Sequence, residues 1–153
     1  MSDDRDAVRA WLALLGASRG LEKAVDTGLR SRFGHSISRF DVLSALDRAG
    51  PGGLRAGALT ERLMVSDGAT TQVTAPLIRD GLVRRIADPE DGRAAIFSLT
   101  RKGARIFAGM AAEHRQWIDG AFANLTPAQM TTLRRLLSQI DPAKVARSKK
   151  DAA

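Results

Sequence analysis

Between Gly81 and Thr100 the chain changes its period, and this change limits the fold more than any other feature. Leu82-Val83-Arg84-Arg85-Ile86-Ala87 and Ala94-Ala95-Ile96-Phe97-Ser98-Leu99 have the length and bounding turn residues of strands. Asp88-Pro89-Glu90-Asp91-Gly92-Arg93 lies between them. Its proline and its Asp-Gly pair predict a hairpin connection longer than two residues.

The rest reads as helix. From Asp6 to Phe33 apolar residues recur in steps of three and four through Val8, Trp11, Leu12, Leu15, Leu21, Val25 and Leu29, relaxed near Gly16 and Gly20 and ended by Gly34. Ser38 is expected to cap a second helix carrying Phe40, Leu43 and Leu46, which stops at Gly50-Pro51. After the Gly52-Gly53 turn a short helix is expected from Arg55 to Leu63. A three-residue break, Met64-Val65-Ser66, then leads to a helix capped by Ser66 or Asp67, with an apolar line Ala69, Val73, Leu77 and a stop at Gly81. Beyond the hairpin Thr100 caps a long helix with the stripe Ile106, Met110, His114, Trp117, Ile118 and Phe122. Thr126-Pro127 opens a last one with Met130, Leu133, Leu136, Leu137 and Ile140, closed by Asp141-Pro142.

Composition removes several function classes. The 153 residues favour one globular domain, and no run of about eighteen uncharged apolar residues could cross a membrane. Cysteine is absent, which excludes disulfides, thiolate metal sites and thiol redox sensing. The first six residues are acidic and lack the order of a secretory signal, so a cytoplasmic address is expected. His35 and His114 are not at metal-ligand spacing, and no phosphate loop or nucleophile elbow is present; neither an enzyme nor a cofactor is expected. The net charge of +7 suits a polyanion partner, although residues 142–153 hold four basic residues against one acidic, and a solvated basic end accounts for that share equally well.

Two short helices joined by about three residues, with a hairpin directly after, describe a winged helix-turn-helix. The second helix of such a pair fits the major groove of double-stranded DNA. Its apolar line turns inward and leaves Ser66, Gly68, Thr71 and Gln72 toward solvent. Gln can bond adenine bidentately, Thr offers a methyl and a hydroxyl, and a helix N-terminus with small residues welcomes phosphate. Asp91 and Arg93 share a side of the hairpin tip, so Asp91 can brace the Arg93 guanidinium toward a narrow minor groove. Without the helix-turn-helix before it, the same pair reads equally as a local surface ion pair.

Phe40-Asp41-Val42-Leu43, Ala49-Gly50-Pro51, Leu59-Thr60-Glu61-Arg62-Leu63-Met64-Val65-Ser66, Gly81-Leu82-Val83-Arg84-Arg85, the 88–93 connection and Ser98-Leu99-Thr100-Arg101-Lys102-Gly103 carry a resemblance. By these motifs the chain resembles the multiple-antibiotic-resistance regulator (MarR) family of transcription regulators. The resemblance implies a mainly α fold with a small winged sheet, a homodimer made by the terminal helices, and a response to small-molecule effectors. It suggests an effector cleft for which Trp11, His35, Phe40 and Asp41 are the candidates. The organisation expected is a dimerisation helix over 1–37, a DNA-binding lobe over 38–103, dimerisation helices over 104–141 and a basic, disordered tail over 142–153. Gln72 and Pro76 stand where the family often has basic side chains. Pro76 predicts a kink in the recognition helix, and phosphate anchoring falls to Arg84, Arg85, Arg93 and Arg55. The function expected is a ligand-responsive repressor on a near-palindromic operator. The alternative is a winged helix that binds a protein partner instead of DNA.

Overall fold

The computed structural model describes residues 5–145. The elements run α1 (Asp6–Phe33), α2 (Ile37–Ala49), β1 (Leu54–Arg55), α3 (Ala56–Leu63), α4 (Asp67–Arg79), β2 (Val83–Ala87), β3 (Ala95–Leu99), α5 (Arg101–Ala121) and α6 (Pro127–Ser138), then a short 3-10 turn, Pro142–Lys144. The chain divides into two compact units, one ending at Trp117 and the other beginning at Ile118.

The core of the first unit is aliphatic. Leu29, Val42, Leu43, Leu46, Leu59, Leu77, Leu82 and Met110 are all but inaccessible. Helix α1 is continuous through Gly16 and Gly20, and it buries only Val25 and Leu29 near its C-terminal end. Gly34 closes it in the left-handed region, φ 70°, which glycine adopts at no steric cost. Ser36, not Ser38, caps α2: its hydroxyl accepts the Arg39 N–H at 3.2 Å. The sequence offers two serines two apart, and the one followed three residues later by a free helix N–H takes the role.

Asp26 fastens α1 to α2. Its Oδ1 accepts the Ile37 N–H at 2.8 Å and its Oδ2 accepts the Arg30 Nε–H at 2.8 Å. These bonds to the charged form hold its pKa below the ordinary aspartate value, the backbone bond contributing most. Asp41 is shifted the other way, by desolvation first and then by the charge of Glu22. A carboxyl-detected NMR titration should therefore find Asp41 protonating before Asp26 as the pH falls. Stability contributed by Asp26 is present above its unfolded-state pKa and is lost as pH drops through the lower folded value. The reverse order of titration would contradict at least one of the two assignments.

The sheet is antiparallel with order β1-β3-β2. Strand β1 is two residues long, too short to register as a period, so its segment reads as turn and helix; Arg55 belongs to it and precedes α3. Gly53, at φ 70°, makes the pairing possible, because a Cβ there would lie 2.1 Å from the Phe97 carbonyl oxygen. Helix α5 buries Gly103, Phe107 and Met110, a line rotated from the expected stripe; Ile106, His114 and Trp117 are half-buried.

In the second unit Thr126 caps α6 with a complete capping box to Gln129 and with Pro127 in the first turn. None of the α6 residues is buried. Asp141 Oδ1 accepts the Ala143 N–H of the 3-10 turn that follows α6. Residues 146–153, most of the tail expected to be disordered, lie outside the described residues.

Candidate nucleic-acid interface

Helices α3 and α4 form the helix-turn-helix. Helix α3 ends at Met64 in the left-handed region, φ 55°, and Met64 returns its N–H to the Glu61 carbonyl. Ser66 then caps α4 by accepting the Ala69 N–H at 3.2 Å. Asp67, the other candidate cap, is the first helical residue, where its charge suits the positive end of the helix dipole.

The buried line of α4 is Thr70, Thr74 and Leu77; Ala69 and Val73, expected to lead it, are half-buried. Threonine reads as polar in sequence, yet these hydroxyls are satisfied inside the lobe. Thr74 donates to the Thr70 carbonyl at 2.9 Å, and Thr70 donates to the Ser66 carbonyl at 3.2 Å. The Thr60 hydroxyl donates to the Thr70 hydroxyl at 2.9 Å and so ties α3 to α4. Back-bonding removes the cost of burying a hydroxyl and frees its methyl to pack.

The rotation leaves Ser66, Gly68, Thr71 and Gln72 exposed on the opposite side. Nothing lies within 4 Å of a Cβ built on Gly68, so internal packing does not require that glycine. The Thr71 hydroxyl donates to the Asp67 carbonyl at 3.1 Å and keeps its oxygen free to accept. Pro76 lies inside α4 and the helix runs through it to Arg79 as one element, so the expected kink does not break it. Pro76 still withholds the amide that the Gln72 carbonyl would otherwise accept.

In the hairpin Arg84 pairs with Ser98 and Arg85 with Phe97. Consecutive strand residues point to opposite faces, so the two arginines do not act as one pair of prongs. At the tip Asp91 Oδ1 accepts the backbone N–H of Arg93 at 3.1 Å. The brace is thus on the Arg93 amide and not on its guanidinium, which is exposed. Arg55, expected among the phosphate anchors, is engaged instead by the Asp88 carboxylate. Asp88 is buried at the base of the wing and was missed in the sequence; its available signal was an Asp opening the Asp-Pro-Glu-Asp turn.

Residues 38–103, the lobe, carry nine arginines and one lysine against eight acidic residues, a net charge of +2. Two of the arginines are in ion pairs, Arg39 with Asp80 and Arg55 with Asp88. Most of the chain's +7 balance lies outside these residues, and Arg84, Arg85 and Arg93 are the exposed arginines at the hairpin.

Of the four effector candidates, Trp11 lies on α1, His35 just before α2, and Phe40 and Asp41 on α2. Phe40 is buried between Phe107 and His114, with ring centroids 5.5 and 4.7 Å away. His35 is half-buried with an unpartnered Nδ1, and desolvation lowers its pKa. Asp41 borders a cavity of about 380 Å³ with Ser44, Arg48, Arg62 and Leu63. Trp11 is 56% exposed and lies in the N-terminal part of α1. Among the described residues no cluster of metal-ligating side chains occurs.

A MarR family model matches residues 33–94. An HTH-type transcriptional regulator of Mycobacterium tuberculosis is 30% identical over 99 residues, 65% of this chain and 68% of that protein. The HTH-type regulator YkoM of Bacillus subtilis is 32% identical over 106 residues, 69% of this chain and 68% of its own. The chain belongs to the MarR family. The fold is shared with MarR-family structures. Sco3205 of Streptomyces coelicolor, solved in complex with DNA, superposes with a TM-score of 0.81 at 23% identity over 99% of this chain and 92% of its own. A variant of Escherichia coli MarR complexed with operator DNA gives 0.79 at 24% identity over 92% and 100%. Within the family's winged helix, the α4 face and the hairpin tip are the elements that carry this chain's candidate DNA contacts, and both are exposed here.

Proposed function

We propose that this MarR-family chain is a DNA-binding transcription regulator that binds a near-palindromic operator as a homodimer and is released by a small-molecule effector. The observation that carries the reading is the α4 face. A capped helix, polar and small-residued at its exposed N-terminal end, lies in the same lobe as a hairpin whose tip presents Arg93. Ser66 and Gly68 suit phosphate approach, Thr71 and Gln72 suit base edges, and Arg93 suits a narrow minor groove. No catalytic role is assigned to any residue. The protein-binding alternative is not favoured, because the relatives at 30–32% identity are described as HTH-type transcriptional regulators.

The homodimer reading rests on uncovered apolar side chains. Val8, Trp11 and Leu12 of α1 are 55–58% exposed, and Leu136, Leu137 and Ile140 are also exposed. A two-fold partner would remove them from water. Such a dimer sets two α4 helices about 34–36 Å apart, one turn of B-DNA. Footprinting on a bound promoter fragment should therefore protect two inverted half-sites. Full-affinity protection of a single half-site, or a stable monomer in sedimentation at micromolar concentration, would remove the dimeric reading. With cysteine absent, thiol oxidation is excluded as the releasing signal, and the ligand acts only through its differential affinity for the two lobe spacings.

A further inference from the structure

Besides the β1–β3 pairing, a buried carboxylate fastens the wing to the helix-turn-helix. Asp88 follows β2, and its side chain is 4% exposed; it is the one buried acidic residue among the described residues. Its Oδ1 accepts the Glu90 N–H at 2.9 Å, and its own N–H donates to the Ala94 carbonyl at 2.9 Å. Ala94 in turn donates its N–H to the Asp91 carbonyl, and the Asp91 side chain holds the Arg93 amide. A continuous set of bonds thus leads from Asp88 to Arg93. The second oxygen, Oδ2, meets the Arg55 guanidinium and no other donor. Arg55 ends β1, which pairs with β3, and is also the residue from which α3 starts. One ion pair therefore joins the base of the wing to the first helix of the helix-turn-helix. A carboxylate this buried is strongly disfavoured without its partner, which makes the contact directional and hard to exchange for water.

We propose that Arg55 and Asp88 are positioning residues for DNA binding. Their ion pair fixes the wing against the helix-turn-helix so that Arg93 and the exposed face of α4 engage DNA in one register. The proposal rests on Arg93 being a DNA contact.

The test uses the full chain and a fluorescent operator fragment at fixed salt, with circular dichroism and thermal melts to confirm folding. Asp88→Asn removes a negative charge, which by long-range attraction alone would raise affinity for DNA. Fastening of the wing gives the opposite result, binding weaker by about tenfold, a size common for coupled neighbours. In the Arg55→Ala background Arg93→Ala should then cost under about twofold, because the wing no longer delivers that arginine. Arg55→Lys, which keeps the charge, should recover part of the loss and serves for the same cycle should Asp88→Asn not fold. Affinity of Asp88→Asn at or above wild type overturns the proposal, as do fully additive losses for Arg55→Ala and Arg93→Ala. If Arg93→Ala alone leaves wild-type binding unchanged, the wing reading falls and the proposal falls with it. That outcome is distinguishable from additivity, where Arg93 matters and only the fastening fails.

Discussion

Arg93→Ala is expected to weaken operator binding by about a hundredfold, with no change in the melting midpoint. Arg93 is exposed at the wing tip and takes part in none of the ion pairs among the described residues, so removing its guanidinium costs the fold nothing. A good arginine contact to a groove contributes about 1–3 kcal/mol, and a two-fold dimer loses two of them. At about 1.4 kcal/mol each the product is a hundredfold. Asp91→Ala should cost less. It releases the Arg93 amide, which loosens the tip but leaves the guanidinium available. Anisotropy titrations with both variants at one salt concentration decide the matter. Coincident isotherms for Arg93→Ala and wild type would end the minor-groove reading, and a larger loss for Asp91→Ala would reverse the assigned roles.

Gly103→Ala is expected to destabilise the first unit by about 3 kcal/mol or more, among the largest effects of a single methyl in this chain. A Cβ at Gly103 would lie 1.9 Å from the Leu82 carbonyl oxygen and 2.9 Å from its carbon, both backbone atoms that no rotamer change can move. The backbone there is already engaged. The Leu82 carbonyl accepts the Thr100 N–H at 3.1 Å, and the Thr100 hydroxyl donates to the Gly81 carbonyl at 2.6 Å while accepting the Gly103 N–H at 2.9 Å. Thr100 thus caps α5 and fastens it to the turn after α4, and Gly103 lets the two backbones meet. The methyl must force α5 away from Leu82, which is 2% exposed. Gly57→Ala is the matched control: nothing lies within 4 Å of its Cβ, and the change should be neutral or stabilising by up to about 1 kcal/mol. Equal melting midpoints for the two variants would show that the approach at Gly103 is not restrictive.

The same pair of residues shows how far the sequence reached. Leu99-Thr100-x-x-Gly103 was legible as a motif, and Thr100 as a cap, because a cap is a local arrangement of neighbouring backbone groups. The need for glycine at 103 was not legible, because its cause is Leu82, far away in sequence. Helix α1, the Ser66 and Thr126 caps and both long strands follow from short-range periodicity and turn chemistry, and their limits agree with the fold within a residue or so.

What depended on neighbours distant in sequence was read less well. Strand β1 has two residues and exists only because β3 offers an edge to pair with. Thr70 and Thr74 are interior because Thr60 and the preceding carbonyls satisfy their hydroxyls, a fact no hydrophobicity pattern contains. Phe107 displaces the expected stripe of α5 by stacking near Phe40. At the candidate site the sequence by itself determined which residues line the exposed face of α4 and which arginine stands at the wing tip, since both follow from helical spacing and a local turn. The Asp91 bond to the Arg93 amide and the alternation that parts Arg84 from Arg85 are local matters of turn and strand; only the tertiary structure decided that Arg55 serves Asp88 instead of standing free. Burial is the reason: once Asp88 is withdrawn from water its carboxylate requires a cation, and β1 places Arg55 within reach.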